Sequence, residues 1–363
     1  MNRTSLRRGM VPGIAALALV LTGCSAANES GSASDGGLAG TLNGGGASSQ
    51  EAAQNAWRAG YQGLHSDVTV NYDPTGSGGG RENFTSGGFA FAGSDSYLTD
   101  DEGELSAAEQ RCAGDPIEIP NYVSPIAVVF NVEGVDELNL TPDAIAGIFN
   151  GTITRWNDPA IAASNEGVTL PDATITAVHR SDESGTTGNF THYLSAVAKK
   201  AWPHGEVESW PIKAGEGANG TSGVVSAVTN GKNTIGYADA SQAGDLGTVN
   251  VQVGDDFVGP TAEAAAKILE VSPRVEGRAD SSLTFELDYT TGEAGTYPIV
   301  LTSYLMACPT YEDGTTADLV KGYLTYVLSD EGQKAAADTA GSAPLPAGLA
   351  AEAQALVDGI KAR

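Results

Sequence analysis

Positive charge is what this chain has least of: 19 Lys and Arg stand against 45 Asp and Glu in 363 residues, a formal net charge of −26. A field of that sign repels a polyanion, which excludes nucleic acid as a partner. Cysteine and histidine are scarce too, with 3 and 4 residues. The histidines, at 65, 179, 192 and 204, form no i, i+4 pair on one helix and have no cysteine neighbours, so the spacing of a metal site is missing. Past the N-terminal region no apolar run reaches the length that crosses a bilayer. Glycine is abundant instead, at 47 residues, with 16 prolines, more than a helical bundle carries. With 41% hydrophobic residues, the chain reads as a loop-rich α/β protein of two lobes or one large domain.

The N-terminus has the layout of a secretory signal, in which Arg3, Arg7 and Arg8 precede a short apolar run over residues 10–21. That run ends in Leu21-Thr22-Gly23-Cys24, which looks like a bacterial lipobox, with cleavage before Cys24 and lipid attached to it. The plainer reading is a signal peptide whose cysteine merely lies near the cleavage site. Residues 1–23 are expected to be the signal and 24–39 a lipidated flexible tether, since Ala, Ser, Gly, Asn and acids cannot bury enough apolar area to order themselves. Loss of three arginines takes the net charge from −26 to −29. The body is then extracytoplasmic and lipid-anchored at the cell membrane, where disulfides persist. A Cys112–Cys308 bond is expected, because each cysteine lies beside a long apolar strand, 124–131 or 297–307, that would be neighbours where the lobes join. Two buried thiols are the alternative.

Periodicity predicts a helix from residue 50, with Ala53, Ala56, Trp57 and Gly60 on one face. A strand at 68–72, a turn-rich stretch at 73–80, and strands at 88–93 and 124–131 follow. Thr141-Pro142 starts a helix that buries Ile145, Ile148 and Phe149. Alternation continues through 174–179, 190–202, 235–238 and 297–307, and Leu319, Val320, Tyr323, Leu324, Val327 and Leu328 keep helical spacing. That order is α/β. No lobe-sized linker precedes the C-terminus, so the chain starts in one lobe, builds a second and returns to complete the first.

Four segments share one design, small hydroxylated residues at the mouth of a strand or the start of a helix: 47–49, 76–78, Ser94-Asp95 and Arg180-Ser181-Asp182-Glu183-Ser184-Gly185-Thr186. Helix N-termini expose unpaired N–H groups of partial positive charge, and Ser or Thr hydroxyls add donors without bulk, so such turns can hold an oxyanion. Taken singly, Ser48 and Ser77 read as helix caps or turn residues, and Arg180 as a surface partner of Asp182.

Together with Tyr72, Thr75-Gly76-Ser77-Gly78-Gly79, Phe91-Ala92-Gly93-Ser94-Asp95, the 140–157 segment ending Thr154-Arg155-Trp156-Asn157, and Ile235-Gly236-Tyr237, these residues resemble the phosphate-binding lipoproteins of high-affinity phosphate ABC importers, the PstS family. The motifs keep the family's order and spacing over roughly residues 40–341. The resemblance implies a type II periplasmic-binding-protein-like α/β fold of two lobes joined by two crossover hinge strands, 40–122 with 297–363 and 123–296. It implies inorganic phosphate held between the lobes by Ser48, Ser49, Ser77, Asp95, Arg180, Ser184, Gly185 and Thr186, with Asp182 orienting Arg180. Many members carry Thr-Phe where this chain has Ser48-Ser49. The implied partners are phosphate, the permease subunits and, through the lipid on Cys24, the membrane, for a monomer with no cofactor, metal or catalytic residue. A secreted hydrolase and an envelope lipoprotein without tight anion binding are the competing classes. Against the hydrolase, no Gly-x-Ser-x-Gly elbow sits between a strand and a helix.

Overall fold

The computed structural model describes residues 37–363; the expected signal, Cys24 and the tether up to residue 36 lie outside the described residues. The chain opens with β1 (Gly40–Gly46), a 3-10 turn (Ser48–Gln50), α1 (Glu51–Leu64), β2 (Val68–Asp73), α2 (Ser77–Ser86), β3 (Phe91–Ser94) and α3 (Glu104–Cys112). The long β4 (Ile117–Asn131) leads to β5 (Leu138–Leu140), α4 (Pro142–Phe149), α5 (Pro159–Ala162), β6 (Thr176–Arg180) and α6 (Gly185–Val197). Next come β7 (Glu216–Ala218), α7 (Gly220–Asn230), β8 (Thr234–Asp239), β9 (Gly247–Val253), β10 (Asp256–Val258) and α8 (Ala262–Val271). The chain then returns through β11 (Val300–Ala307), α9 (Gly314–Leu328), α10 (Asp330–Ala340) and α11 (Ala347–Asp358).

The main sheet runs β2-β1-β3-β11-β4-β8-β6-β7. β4 belongs to both halves: Ile117–Pro125 pairs antiparallel with β11, and Ile126–Asn131 pairs with β8. The result is a two-lobed α/β fold with β4 as the shared strand. All of β4 but its last residue is buried, which a strand covered on both faces requires and which its apolar run supplies. Its length exceeds the expected 124–131 because two prolines obscured the pattern. Pro120 sits beside the register shift at Ser303/Tyr304, and Pro125 stands where β4 changes partner, both places where a missing N–H is tolerated. Backbone bonds from Glu118 to Ser281 and from Leu283 back to Glu118 lay the 281–283 segment along the first part of β4.

Three local readings change. The buried face of α1 is Ala53, Gln54, Trp57 and Tyr61, so a glutamine takes the place expected for Ala56 and Gly60. The glycines after Ser77 form the first turns of α2 rather than an open turn. They are there because of close approach: a Cβ on Gly80 would lie 2.5 Å from Gly46 Cα, and one on Gly78 would lie 2.4 Å from the Glu183 side chain. The strand expected at 88–93 starts at Phe91, since Gly87 ends α2 in the left-handed region at φ 87°. The start at Thr141-Pro142 is as expected, with the Thr141 hydroxyl accepting the Ala144 N–H.

Cys112 and Cys308 form a disulfide with Cα atoms 5.0 Å apart, joining the end of α3 to the exit of β11 across 196 residues of sequence. β4 and β11 are indeed neighbours. Replacing both cysteines by serine is expected to cost about 2–5 kcal/mol, because the unfolded chain regains the freedom that the closed loop removes. An unchanged denaturation midpoint under oxidising conditions would refute a stabilising role.

Candidate anion-binding site

The four hydroxyl-rich segments converge because each follows the carboxyl end of a strand. Ser48 and Ser49 open the turn after β1, Ser77 is the first residue of α2 after β2, and Asp95 follows β3. Arg180 closes β6, and Ser184, Gly185 and Thr186 start α6. Open α/β sheets place ligands at such ends, where helix N-termini also point. All seven side chains are buried, none more than 3% exposed.

The two halves meet directly here. Asp95 accepts the Ser49 hydroxyl at 2.7 Å on both oxygens, the Ser303 hydroxyl at 2.7 Å on Oδ1, and the Thr186 hydroxyl at 3.0 Å on Oδ2. The Asp95 N–H donates to Ser77 Oγ at 3.1 Å. Gly185 is a glycine for want of room, since a Cβ would lie 2.6 Å from Ser77 Oγ and 2.9 Å from Asp95 Cβ. On the other side, Arg180 Nε donates to Asp182 Oδ1 at 2.7 Å, its Nη2 pairs with Asp182 Oδ2, and Nη1 donates to Thr221 Oγ1 at 3.4 Å. Asp182 also accepts the Gly220 N–H at 3.0 Å, so the carboxylate ties Arg180 to the start of α7. Ser48 Oγ accepts the Thr221 N–H at 3.0 Å, and Gln242 donates to the Ser48 carbonyl at 2.9 Å.

Burial acts first on both carboxyls, and their partners set the outcome. Asp95 is raised above its ordinary value by burial, against the opposing hydroxyls of Ser49, Ser303 and Thr186 and the Arg180 charge. For Asp182 the balance reverses: burial raises it, but the hydrogen bonds and charge of Arg180 and the Gly220 N–H hold it below the usual range. Ser184 Oγ accepts the Thr187 N–H at 3.2 Å and thereby caps α6. Beside Asp95 lies a cavity of about 560 Å³ whose lining includes Glu104, Glu183, Glu206 and Glu208. Buried Arg81 spans it, pairing with Glu104 at 2.8 Å and with Glu208 at 2.7 Å. Among the described residues, no group of three His, Cys, Asp or Glu side chains is placed to hold a metal ion.

The residues that the resemblance implied for the anion lie together and buried, with half-buried Asp182 at their edge on Arg180; the Cys112–Cys308 bond lies apart from them. Sequence reasoning missed Thr221, Ser303, Gln50 and Gln242. Thr221 had a signal, because Asn219-Gly220-Thr221-Ser222-Gly223 repeats at the start of α7 the design seen at 181–187. Ser303 had none, being one of three successive hydroxyl side chains, Thr302, Ser303 and Tyr304, in a buried strand that only sheet pairing brings to Asp95.

Residues 31–331 match the family model of the PBP superfamily domain. The chain is 34% identical over 359 residues to the phosphate-binding protein PstS2 of Mycobacterium bovis (strain BCG / Pasteur 1173P2), covering 96% of each chain. It is 30% identical to the phosphate-binding protein PstS of Xylella fastidiosa over 86% of this chain and 84% of that one. Among solved structures, the periplasmic phosphate-binding protein PfluDING bound with phosphate superposes with a TM-score of 0.70 at 24% identity, covering 87% of this chain and 93% of that one. A phosphate-binding protein from Stenotrophomonas maltophilia gives 0.69 at 19% identity, with the same coverage. Fold and sequence agree, and the chain belongs to the PstS family of phosphate-binding proteins within the PBP superfamily.

Proposed function

We propose that this chain is an extracytoplasmic solute-binding protein that captures inorganic phosphate between its two lobes and delivers it to the permease of an ABC importer. The observation that carries this reading is the convergence, from opposite halves, of a buried carboxylate and a buried guanidinium among hydroxyl donors. Monohydrogen phosphate carries a proton near neutral pH, which ionised Asp95 can accept; sulfate has none and would face charge repulsion. Arg180 offers charge-assisted hydrogen bonds in a direction fixed by Asp182. Ser48, Ser77 and Ser184, with the backbone at Ser49 and Gly185, supply neutral donors whose bonds burial strengthens, and Thr186 adds its hydroxyl in exchange for its bond to Asp95. No bond is made or broken in this role. The family's phosphate-binding proteins support it.

In the same reading the mature chain starts at lipidated Cys24 and tethers a monomeric body to the cell membrane. Its lobes comprise 40–122 with 297–363, and 123–296, hinged where β4 changes partner. Calorimetric titration of the mature chain, stripped of ligand, tests it. Saturable heat at one phosphate per chain, with none for sulfate, is expected. Absence of phosphate heat would overturn the reading.

A further inference from the structure

Asp95 is the end point of a directed chain of hydrogen bonds that runs through the core of the first half. Tyr323 OH on α9 donates to Gln54 Oε1 at 2.7 Å, and Gln54 Nε2 donates to Gln50 Oε1 at 2.8 Å. Gln50 Nε2 donates to Ser303 Oγ at 2.8 Å and to the Tyr304 carbonyl at 3.0 Å. Ser303 Oγ donates to Asp95 Oδ1 at 2.7 Å. All four side chains behind Asp95 are fully buried. Gly93 leaves the room: a Cβ there would lie 2.6 Å from Gln50 Oε1.

The direction of this chain follows from its chemistry. A main-chain carbonyl only accepts, so the Gln50 atom facing Tyr304 O is the amide nitrogen. Gln50 Oε1 then faces Gln54, which must present its own nitrogen, and Gln54 Oε1 is left to accept the Tyr323 hydroxyl, kept protonated by burial. Ser303 Oγ accepts a hydrogen bond from the Gln50 amide and has one hydroxyl proton of its own to donate. That proton has one place to go, the Asp95 carboxylate.

We infer that Ser303 is a positioning residue that presents a dedicated hydroxyl proton to Asp95, with its direction imposed by Gln50, Gln54 and Tyr323, and so keeps Asp95 an acceptor for the ligand's proton. The inference rests on the phosphate reading above. The groups whose charges act on Asp95 are Arg180 from β6, Asp239 from β8, Tyr122 from β4 and Tyr72 from β2, and Arg81 lines the neighbouring cavity. Burial keeps both tyrosines protonated and pushes Asp239 up to about 7. Burial also pushes Asp95 up, and the Ser303 hydroxyl is among the groups that oppose it. Removing Ser303 therefore lets Asp95 protonate at a higher pH, and a protonated Asp95 no longer accepts the ligand's proton.

The test is a carboxyl ¹³C NMR titration of the mature chain labelled at aspartate and free of phosphate, with the Asp95 signal assigned by its loss in Asp95→Asn. Ser303→Ala is expected to move the Asp95 titration upward by about one unit, Gln50→Met by less, and Ser303→Thr hardly at all. Calorimetry with inorganic phosphate then reads the consequence. Ser303→Ala should match wild type at a pH above both Asp95 titrations and bind more weakly as pH falls, by up to about tenfold below both of them. An unmoved titration, or a weakening equal at every pH, would overturn the inference. Should Ser303→Ala fail to fold, Gln50→Met carries the same two readouts. A shifted titration in a chain whose wild type gives no phosphate heat would support the role of Ser303 and overturn the phosphate reading alone.

Discussion

Arg180→Ala is expected to bind phosphate more weakly by a factor on the order of a hundred or more, corresponding to about 3 kcal/mol or above. Arg180 is 2% exposed and is held by both oxygens of Asp182, so its charge is already desolvated and oriented before a ligand arrives. Truncation removes the only cation named in the proposed site and does further damage. Asp182 would be left with the Gly220 N–H as partner and would face an incoming anion with a bare negative charge. The acid dependence of folding should change as well. Asp182 sits below its ordinary value, so the stability it contributes is present above the unfolded carboxylate pKa and is lost as pH falls through the folded one. Without Arg180 that loss shrinks. Arg180→Lys keeps a charge but not the planar fork, and should fall between alanine and wild type. Calorimetry at neutral pH decides; an alanine variant within threefold of wild type would remove Arg180 from the site.

Asp95→Asn should admit sulfate. The wild-type carboxylate can accept the ligand's proton and, being charged, repels a fully deprotonated dianion, so a single residue both recognises phosphate and rejects its competitor. Asparagine retains one oxygen, which can still accept from Ser49 and Ser303, but turns a donor toward the hydroxyl that used the other oxygen. Thr186, which donates to Oδ2, then loses its acceptor and is free to donate elsewhere, to a sulfate oxygen included. Discrimination is expected to fall more than phosphate affinity, because Arg180 and the helix-start donors are untouched. A site built around one hydrogen-bonding group can reject an analogue by factors of about 10⁴, and that scale is at stake here. Sulfate competition against bound phosphate at neutral pH, wild type beside variant, is the measurement. Continued exclusion of sulfate by the variant would place selectivity in the donors around Arg180 and Ser184 or in the size of the cavity.

The sequence alone determined the features whose cause is local. Alternating strand and helix patterns identified an α/β chain that returns to its first half, because side-chain period reports which face of an element is buried. The Thr141-Pro142 start and the hydroxyl-rich helix start at Ser184 were legible because a helix N-terminus is satisfied by residues within a few positions of it. So was Asp182 beside Arg180, two residues away on one turn. Cys112 and Cys308 could be paired because the oxidising compartment and the two flanking strands pointed to one bond.

Tertiary structure decided what depends on partners far apart in the chain. That β4 begins at Ile117 was hidden by prolines whose tolerance depends on a register shift and a change of neighbour. Gln54 takes a buried place on α1 that apolar periodicity withholds from a glutamine, because Tyr323 arrives from 269 residues away to satisfy it. Ser303 reads as one more residue of a buried strand until β11 is laid beside β3, and then its hydroxyl meets Asp95. The physical reason is common to all three. A buried polar group is stable only when its hydrogen bonds are met, and which groups meet them is a property of the folded sheet and not of any window of sequence.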